Sequence, residues 1–79
     1  MTLHKVSVIG GGSFGTVIAN ICAENGYDVS FWMRSEEMAE GINLSHENSQ
    51  YLPGYALNHR VVATTEMEEA VTDSDVIFV

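Results

Sequence analysis

The sequence predicts an α/β fold in which four parallel strands form one sheet in the order 3-2-1-4. Two observations support this fold class: short β-branched runs alternate with helical segments, and three consecutive glycines follow the first run. Strands that alternate with helices form parallel sheets with right-handed crossovers. The 79 residues therefore correspond to the first half of a doubly wound domain. Because the chain ends on a predicted inner strand, we expect it to be the N-terminal portion of a longer protein.

The first strand is predicted at residues 6–9, and the segment that follows has helical periodicity. Its apolar residues recur at i, i+3, i+4, i+7 and i+8, and this spacing predicts one stripe that faces the core. Polar Thr16, Asn20 and Glu24 fall on the opposite side. Asn25-Gly26 predicts the end of the helix. The stripe consists of Phe14, Val17, Ile18, Ile21 and Cys22.

The second strand is predicted at residues 29–33, and Ser35 is suited to cap a short helix after it. Residues 43–59 are rich in Asn, Ser, His, Pro and Gly and predict a loop, which at this length tends to be functional. A third strand is predicted at residues 61–64. Thr65 with Glu68 has the capping-box spacing and predicts a helix through Val71. Residues 75–79 predict the fourth strand.

Charge and composition exclude several classes of protein. The formal net charge is −8, with 3 Lys and Arg against 11 Asp and Glu, which argues against nucleic acid or an anionic membrane as a partner. The lone Cys22 cannot form an internal disulfide. No apolar run approaches the roughly 20 residues that span a bilayer, and no signal peptide is evident. A cytoplasmic protein without a membrane segment or a metal site is predicted.

Residues 10–15, Gly-Gly-Gly-Ser-Phe-Gly, match the pattern G-x-G-x-x-G between a predicted strand and a predicted helix. In that context the pattern is typical of Rossmann-type dinucleotide-binding domains. Gly10 permits the tight turn, Gly12 lets a diphosphate approach the backbone, and Gly15 lets the helix pack closely. The helix N-terminus favours the negative charge of the diphosphate. The alternative is a glycine-rich turn without a ligand.

The two variable positions between Gly12 and Gly15 are also candidates for the site. At Ser13, both the hydroxyl and the backbone N–H are expected to reach a phosphate oxygen. Phe14 begins the apolar stripe, so it is expected to contribute to the core, to cover the cofactor, or both.

Arg34 follows the second predicted strand, where NAD-specific domains usually have Asp or Glu for the ribose 2′-hydroxyl. The first acid in this region is Glu36. A guanidinium can pair with a 2′-phosphate and stack on adenine. Arg34 therefore favours NADP, or the use of both NADP and NAD, over strict NAD specificity. The alternative is a solvated arginine at the end of a strand.

The loop at residues 48–54, Asn-Ser-Gln-Tyr-Leu-Pro-Gly, is the most specific feature of the chain, and residues 63–66, Ala-Thr-Thr-Glu, follow it. Together with the glycine pattern and Thr16, they resemble the N-terminal part of the bacterial NAD(P)-dependent glycerol-3-phosphate dehydrogenases. Three positions depart from that family's pattern, since Phe14 replaces a commoner Trp, Gly11 replaces Ala, and Asn58 stands where Pro is frequent.

The resemblance implies an oxidoreductase that uses NADPH or NADH to reduce dihydroxyacetone phosphate to sn-glycerol 3-phosphate, a precursor of glycerophospholipids. It places Ser13, Phe14 and Arg34 at cofactor-contacting positions and Tyr51 near the cofactor. The family's catalytic and substrate-binding residues, and its C-terminal substrate domain, lie beyond Val79. No catalytic residue is therefore assigned, and the 79 residues alone are expected to be inactive. A homodimer is compatible with the sequence.

Two other functions share the glycine pattern. One is a different Rossmann-type NADP-dependent reductase, against which only the loop at residues 48–54 argues. The other is a nucleotide-sensing module that binds a dinucleotide without catalysis. Modules of that kind usually have an acid after the second strand, where this chain has Arg34.

Overall fold

The computed structural model describes residues 4–10 and 12–79 of the chain. Within them, four parallel strands form a sheet in the order β3-β2-β1-β4, which confirms the predicted fold class and strand order. Gly11, the variable position between Gly10 and Gly12 in the G-x-G-x-x-G pattern, lies outside the described residues. The elements are β1 (Lys5–Ile9), α1 (Ser13–Glu24), β2 (Asp28–Trp32), α2 (Glu36–Ser45), β3 (Val61–Thr64), α3 (Met67–Val71) and β4 (Val76–Phe78).

The core lies mainly on one face of the sheet. Alternate residues of β1, β2 and β3 are paired in register and buried there, because side chains alternate between the two faces of a strand. Ser7, on the opposite face, donates a hydrogen bond from Oγ to the Ala70 carbonyl of α3, so α3 covers that face. The buried rows are Val6, Val29 and Val61, and Val8, Phe31 and Ala63.

Two predicted helix signals are confirmed. Ser35 caps α2, since its hydroxyl accepts a hydrogen bond from the Met38 N–H at 3.1 Å. Helix α1 ends at Glu24, followed by Gly26 at φ +95°, a conformation that favours glycine. Helix α2 continues to Ser45, so the predicted start of the loop at residue 43 was wrong. The loop begins at His46, whose left-handed backbone (φ 55°) ends the helix.

The predicted capping box was wrong. Helix α3 begins at Met67 with Glu66 at the N-cap position, and no side chain caps it. The Thr64 hydroxyl accepts a hydrogen bond from the Glu66 N–H at 3.1 Å, so the turn after β3 uses Thr64 rather than Thr65. The Thr65 carbonyl instead accepts from Trp32 Nε1 at 2.9 Å. A side-chain contact from another strand thus decides the path of this turn.

The predicted orientation of α1 was wrong in part, since Ile18 and Cys22 of the predicted stripe do pack against the core. Phe14 and Ile21 are 79% and 51% exposed, although both belong to the predicted core stripe. The buried residues of the helix are Thr16, Ala19, Asn20 and Ala23. Buried polar groups are tolerated when they are hydrogen-bonded, and the loop after α2 supplies partners for both Thr16 and Asn20. Cys22 is half-buried against the core, and burial raises the pKa of its thiol.

Two polar side chains complete the sheet at its margins. Strand β3 is an edge strand, and the Asn43 amide covers it by accepting from the Ala63 N–H at 2.8 Å and donating to the Ala63 carbonyl at 2.9 Å. At the amino end, the Asp75 carboxylate accepts from the N–H groups of Lys5 and His4, which hold its pKa below the usual value. The Asp75 carboxylate thus connects the start of β4 to the start of β1, and β4 lines one of the clefts described below.

Candidate functional site

The turn at Gly10, called here the glycine turn, lies at the carboxyl end of β1. Gly10 has φ +113°, which favours glycine, and its N–H donates to the Trp32 carbonyl at 2.9 Å. A Cβ at Gly15 would lie closer to the Gly10 carbonyl oxygen than Cβ atoms do in real proteins. The tight turn expected at Gly10 and the close packing expected at Gly15 are therefore both present in the structure.

Gly12 differs from these two because it faces open space. It is exposed, and a Cβ built on it would meet no atom within 4 Å. It is also the N-cap of α1, where no side chain caps the helix and no acidic residue lies in the first turn. The first N–H groups of a helix have no partners within it, and the helix dipole favours an anion there. The backbone around Gly12 can therefore accept a phosphate group.

Two clefts meet at Gly12. The first, called here the Arg34 cleft, has a volume of about 290 Å³ and brings together Arg34, Tyr51 and Gly12 from three separate parts of the chain. Tyr51 is 48% exposed, so its ring is available to a ligand. The other lining residues are Met33, Ser35, Met38 and Gln50.

The second cleft, called here the Phe78 cleft, lies on the β4 side of the glycine turn and has a volume of about 220 Å³. Its walls are mostly apolar. Phe14 lies at this cleft rather than in the core, which explains its exposure. The lining residues are Val8, Ile9, Gly10, Gly12, Phe14, Gly15, Ile18, Phe78 and Val79.

Arg34 is the cation of the Arg34 cleft. It is exposed two residues past the end of β2, and within residues 4–10 and 12–79 its guanidinium makes no ion pair. Among the residues that line this cleft, Arg34 has the charged side chain, so its guanidinium is the cation that the cleft offers to an anion. Ser13, the first residue of α1, is exposed next to Gly12.

A larger groove, about 440 Å³, lies at the amino ends of the strands and includes Lys5 and Arg60. Both cations are already engaged, because Arg60 pairs with Asp28 at 3.1 Å and Lys5 Nζ donates to the carbonyls of Glu69 and Thr72. Ligands of open parallel sheets bind at the carboxyl ends of the strands. The two clefts at Gly12 are therefore the better candidate site.

Sequence reasoning missed two buried residues beneath this site. Asn48 Nδ2 donates to Thr16 Oγ1 at 2.8 Å, and Thr16 Oγ1 donates to the Gly12 carbonyl at 2.8 Å. Thr16 was expected on the solvent side, and Asn48 had no assigned role. One local signal exists, since Asn48 precedes Tyr51 by three residues and asparagine often accepts hydrogen bonds from its own turn.

The structure gives two negative findings for residues 4–10 and 12–79. These residues contain no cluster of three or more His, Cys, Asp or Glu that could hold a metal ion. None of their helices has the length and hydropathy needed to cross a bilayer.

Solved structures of similar fold include two glycerol-3-phosphate dehydrogenases. The glycerol-3-phosphate dehydrogenase of Saccharomyces cerevisiae aligns with a TM-score of 0.87 and 37% identity, over 96% of this chain and 25% of that one. The glycerol-3-phosphate dehydrogenase of Plasmodium falciparum aligns with a TM-score of 0.84 and 33% identity, over 98% of this chain and 24% of that one.

Curated bacterial relatives carry the name glycerol-3-phosphate dehydrogenase (NAD(P)+). That of Teredinibacter turnerae is 49% identical over 73 residues, which are 92% of this chain and 22% of the relative. That of Acinetobacter baumannii is 46% identical over 78 residues, which are 99% of this chain and again 22% of the relative. The chain thus spans less than a quarter of their length. The family model described as NAD-dependent glycerol-3-phosphate dehydrogenase N-terminus matches residues 5–79, and the chain belongs to that family.

Proposed function

We propose that this chain is the dinucleotide-binding portion of an NAD(P)-dependent glycerol-3-phosphate dehydrogenase. The observation that carries the proposal is the position of Gly12, at an uncapped helix N-terminus where two clefts meet. A dinucleotide has two arms joined by a diphosphate, and this arrangement offers one place to each of the three parts. Membership of the family supports the same assignment.

Different residues of the site would hold different parts of the cofactor. The backbone at Gly12 and Ser13 would hold the diphosphate, with the helix dipole of α1 as the favourable charge. Arg34 and Tyr51 would hold the adenosine half in the Arg34 cleft, where the guanidinium suits a 2′-phosphate. Phe14 would border the nicotinamide half in the Phe78 cleft, whose walls are mostly apolar.

The proposed reaction is the reduction of dihydroxyacetone phosphate to sn-glycerol 3-phosphate, which supplies a precursor of glycerophospholipids in the cytoplasm. The cofactor supplies the hydride, and the protein supplies binding and orientation. The residues of this chain act on the cofactor alone, and no catalytic residue is assigned among them. The relatives' names support this substrate class, and a homodimer remains part of the proposal.

The full-length protein tests the assignment. Oxidation of NADPH or NADH is expected with dihydroxyacetone phosphate and not with a panel of unphosphorylated ketones. The loss of nicotinamide absorbance measures the oxidation. Turnover of another ketone in place of dihydroxyacetone phosphate would favour a different reductase. Cofactor binding without any turnover would favour a nucleotide-sensing module.

Arg34→Ala is expected to weaken NADPH binding by about 10- to 100-fold, because a charge-assisted pair with the 2′-phosphate is lost. NADH binding should change little, since NADH lacks that phosphate. Dissociation constants for both coenzymes, measured by calorimetry, check this. Arg60→Ala is the matched control, because Arg60 pairs with Asp28 at the opposite end of the sheet. Equal losses for NADPH and NADH would contradict a role in 2′-phosphate recognition.

A further inference from the structure

We propose that Thr16 and Asn48 are positioning residues, which direct the Ser13 amide toward the diphosphate and hold Tyr51 in place at the same time. The inference rests on the proposed function, although neither side chain would itself contact the cofactor. Both side chains are fully buried. They lie between the glycine turn and the loop that carries Tyr51.

Thr16 fixes the peptide group that begins α1. The Gly12 carbonyl oxygen accepts two hydrogen bonds from it, one from its N–H at 3.0 Å and one from Oγ1 at 2.8 Å. In a trans peptide the carbonyl and the following N–H point in opposite directions, and no cis peptide occurs in the described residues. Because the Gly12 carbonyl is held toward the helix, the Ser13 N–H is directed toward its open end.

Asn48 decides the direction in which the Thr16 hydroxyl donates. Its Nδ2 donates to Thr16 Oγ1 at 2.8 Å, so the hydroxyl acts as an acceptor there and its single proton goes to the Gly12 carbonyl. The opposite atom, Asn48 Oδ1, accepts from the Tyr51 N–H at 3.3 Å. The two contacts require the same orientation of the amide.

The same residue holds the turn that carries Tyr51. Besides the contact to Oδ1, the Asn48 carbonyl accepts from the Leu52 N–H at 2.8 Å. The peptide that precedes α1 and the backbone of Tyr51 are therefore joined through two buried side chains, those of Thr16 and Asn48. A substitution at Thr16 is therefore expected to change the positions of both the Ser13 amide and the Tyr51 ring.

Asn20, one turn further along α1, provides an internal comparison. It is 3% exposed, and its side chain accepts from the Asn58 N–H at 2.7 Å and donates to the Tyr55 hydroxyl at 3.3 Å. It anchors the same loop to the same helix but makes no hydrogen bond to Gly12 or Tyr51. If loop anchoring alone mattered, changes at Thr16 and Asn20 would have the same consequences.

Cofactor affinity in the full-length protein separates positioning from anchoring. Thr16→Val, which removes the hydroxyl at similar size, is expected to raise the dissociation constant for NADPH about tenfold. Thr16→Ser keeps the hydroxyl and should restore most of the affinity. Asn20→Ala should lower the thermal midpoint while the affinity stays close to that of the wild type. An unchanged affinity in Thr16→Val, or no recovery in Thr16→Ser, overturns the positioning role.

Hydrogen exchange in the unliganded protein gives a readout that does not depend on the cofactor. Thr16→Val should accelerate exchange of the Tyr51 amide and leave that of Asn58 unchanged, and Asn20→Ala should do the reverse. Unchanged Tyr51 exchange in Thr16→Val overturns the coupling. If the wild type bound neither coenzyme, the proposed function would fail, while exchange would still decide the coupling.

A second variant keeps the test decisive if Thr16→Val does not fold. In Asn48→Asp the carboxylate can only accept, so the Thr16 hydroxyl donates its one hydrogen bond to it and no longer to the Gly12 carbonyl, with little change of shape. Weaker NADPH binding is again expected. Wild-type affinity in this variant would overturn the proposal.

Discussion

Gly15→Ala is expected to lower the free energy of unfolding by about 2 kcal/mol or more, because the added Cβ overlaps a backbone atom that cannot move aside. The Gly10 carbonyl oxygen is that atom, and Phe31 Cε1 lies 3.6 Å from the same Cβ position. Helix α1 would have to move away from β1, so dinucleotide binding should be lost as well. Urea unfolding followed by circular dichroism, together with calorimetry for NADPH, measures both effects.

Gly41→Ala is the matched control for that experiment. Gly41 is exposed within α2, and a Cβ there meets no atom within 4 Å. The same substitution should therefore stabilise the protein by about 0.5–1 kcal/mol through helix propensity. If Gly15→Ala were as stable as Gly41→Ala, the close contact between α1 and the glycine turn would be refuted.

Gly12→Ala is expected to leave the fold intact and to weaken binding of both coenzymes by about 100-fold or more. The Cβ would meet no protein atom within 4 Å, so stability should hardly change. The same volume is where a diphosphate would approach the backbone, and the two cannot occupy it together. Calorimetry for NADPH and NADH, with thermal unfolding as the measure of stability, checks the prediction.

The contrast between Gly12 and Gly15 makes this test specific. A loss of affinity without a loss of stability at Gly12 would identify the space above that residue as ligand space. Wild-type affinity in Gly12→Ala would place the diphosphate elsewhere and remove the central support of the proposed function. Gly41→Ala again serves as control, since it adds the same methyl group away from both clefts.

Features that depend on neighbouring residues were predictable from the sequence. The order of elements along the chain follows from the alternation of β-branched runs and helical segments. The spatial strand order 3-2-1-4 is the one typical of a doubly wound sheet with right-handed crossovers. Ser35 caps α2 as expected, because capping needs only a hydroxyl and an N–H a few residues away. The glycine pattern likewise predicted the turn at Gly10 and the close packing at Gly15.

Features that depend on distant partners were not predictable in this way. Periodicity placed Phe14 in the core and Thr16 at the surface, and the structure reverses both. Thr16 can be buried because Asn48, 32 residues further along the chain, supplies a hydrogen-bond partner. Thr65 does not cap α3, and its carbonyl instead accepts a hydrogen bond from Trp32 Nε1, which belongs to another strand.

The sequence by itself determined the sheet, the glycine turn and the residue types available for a dinucleotide, since these follow from spacing along one segment. Only the tertiary structure decided that Arg34 and Tyr51 share a cleft with Gly12 and that Phe14 borders a second one. The physical reason is that a cleft is formed by surfaces from separate segments. How those segments pack depends on hydrogen bonds and contacts between buried side chains that are distant in the sequence, such as Thr16 and Asn48.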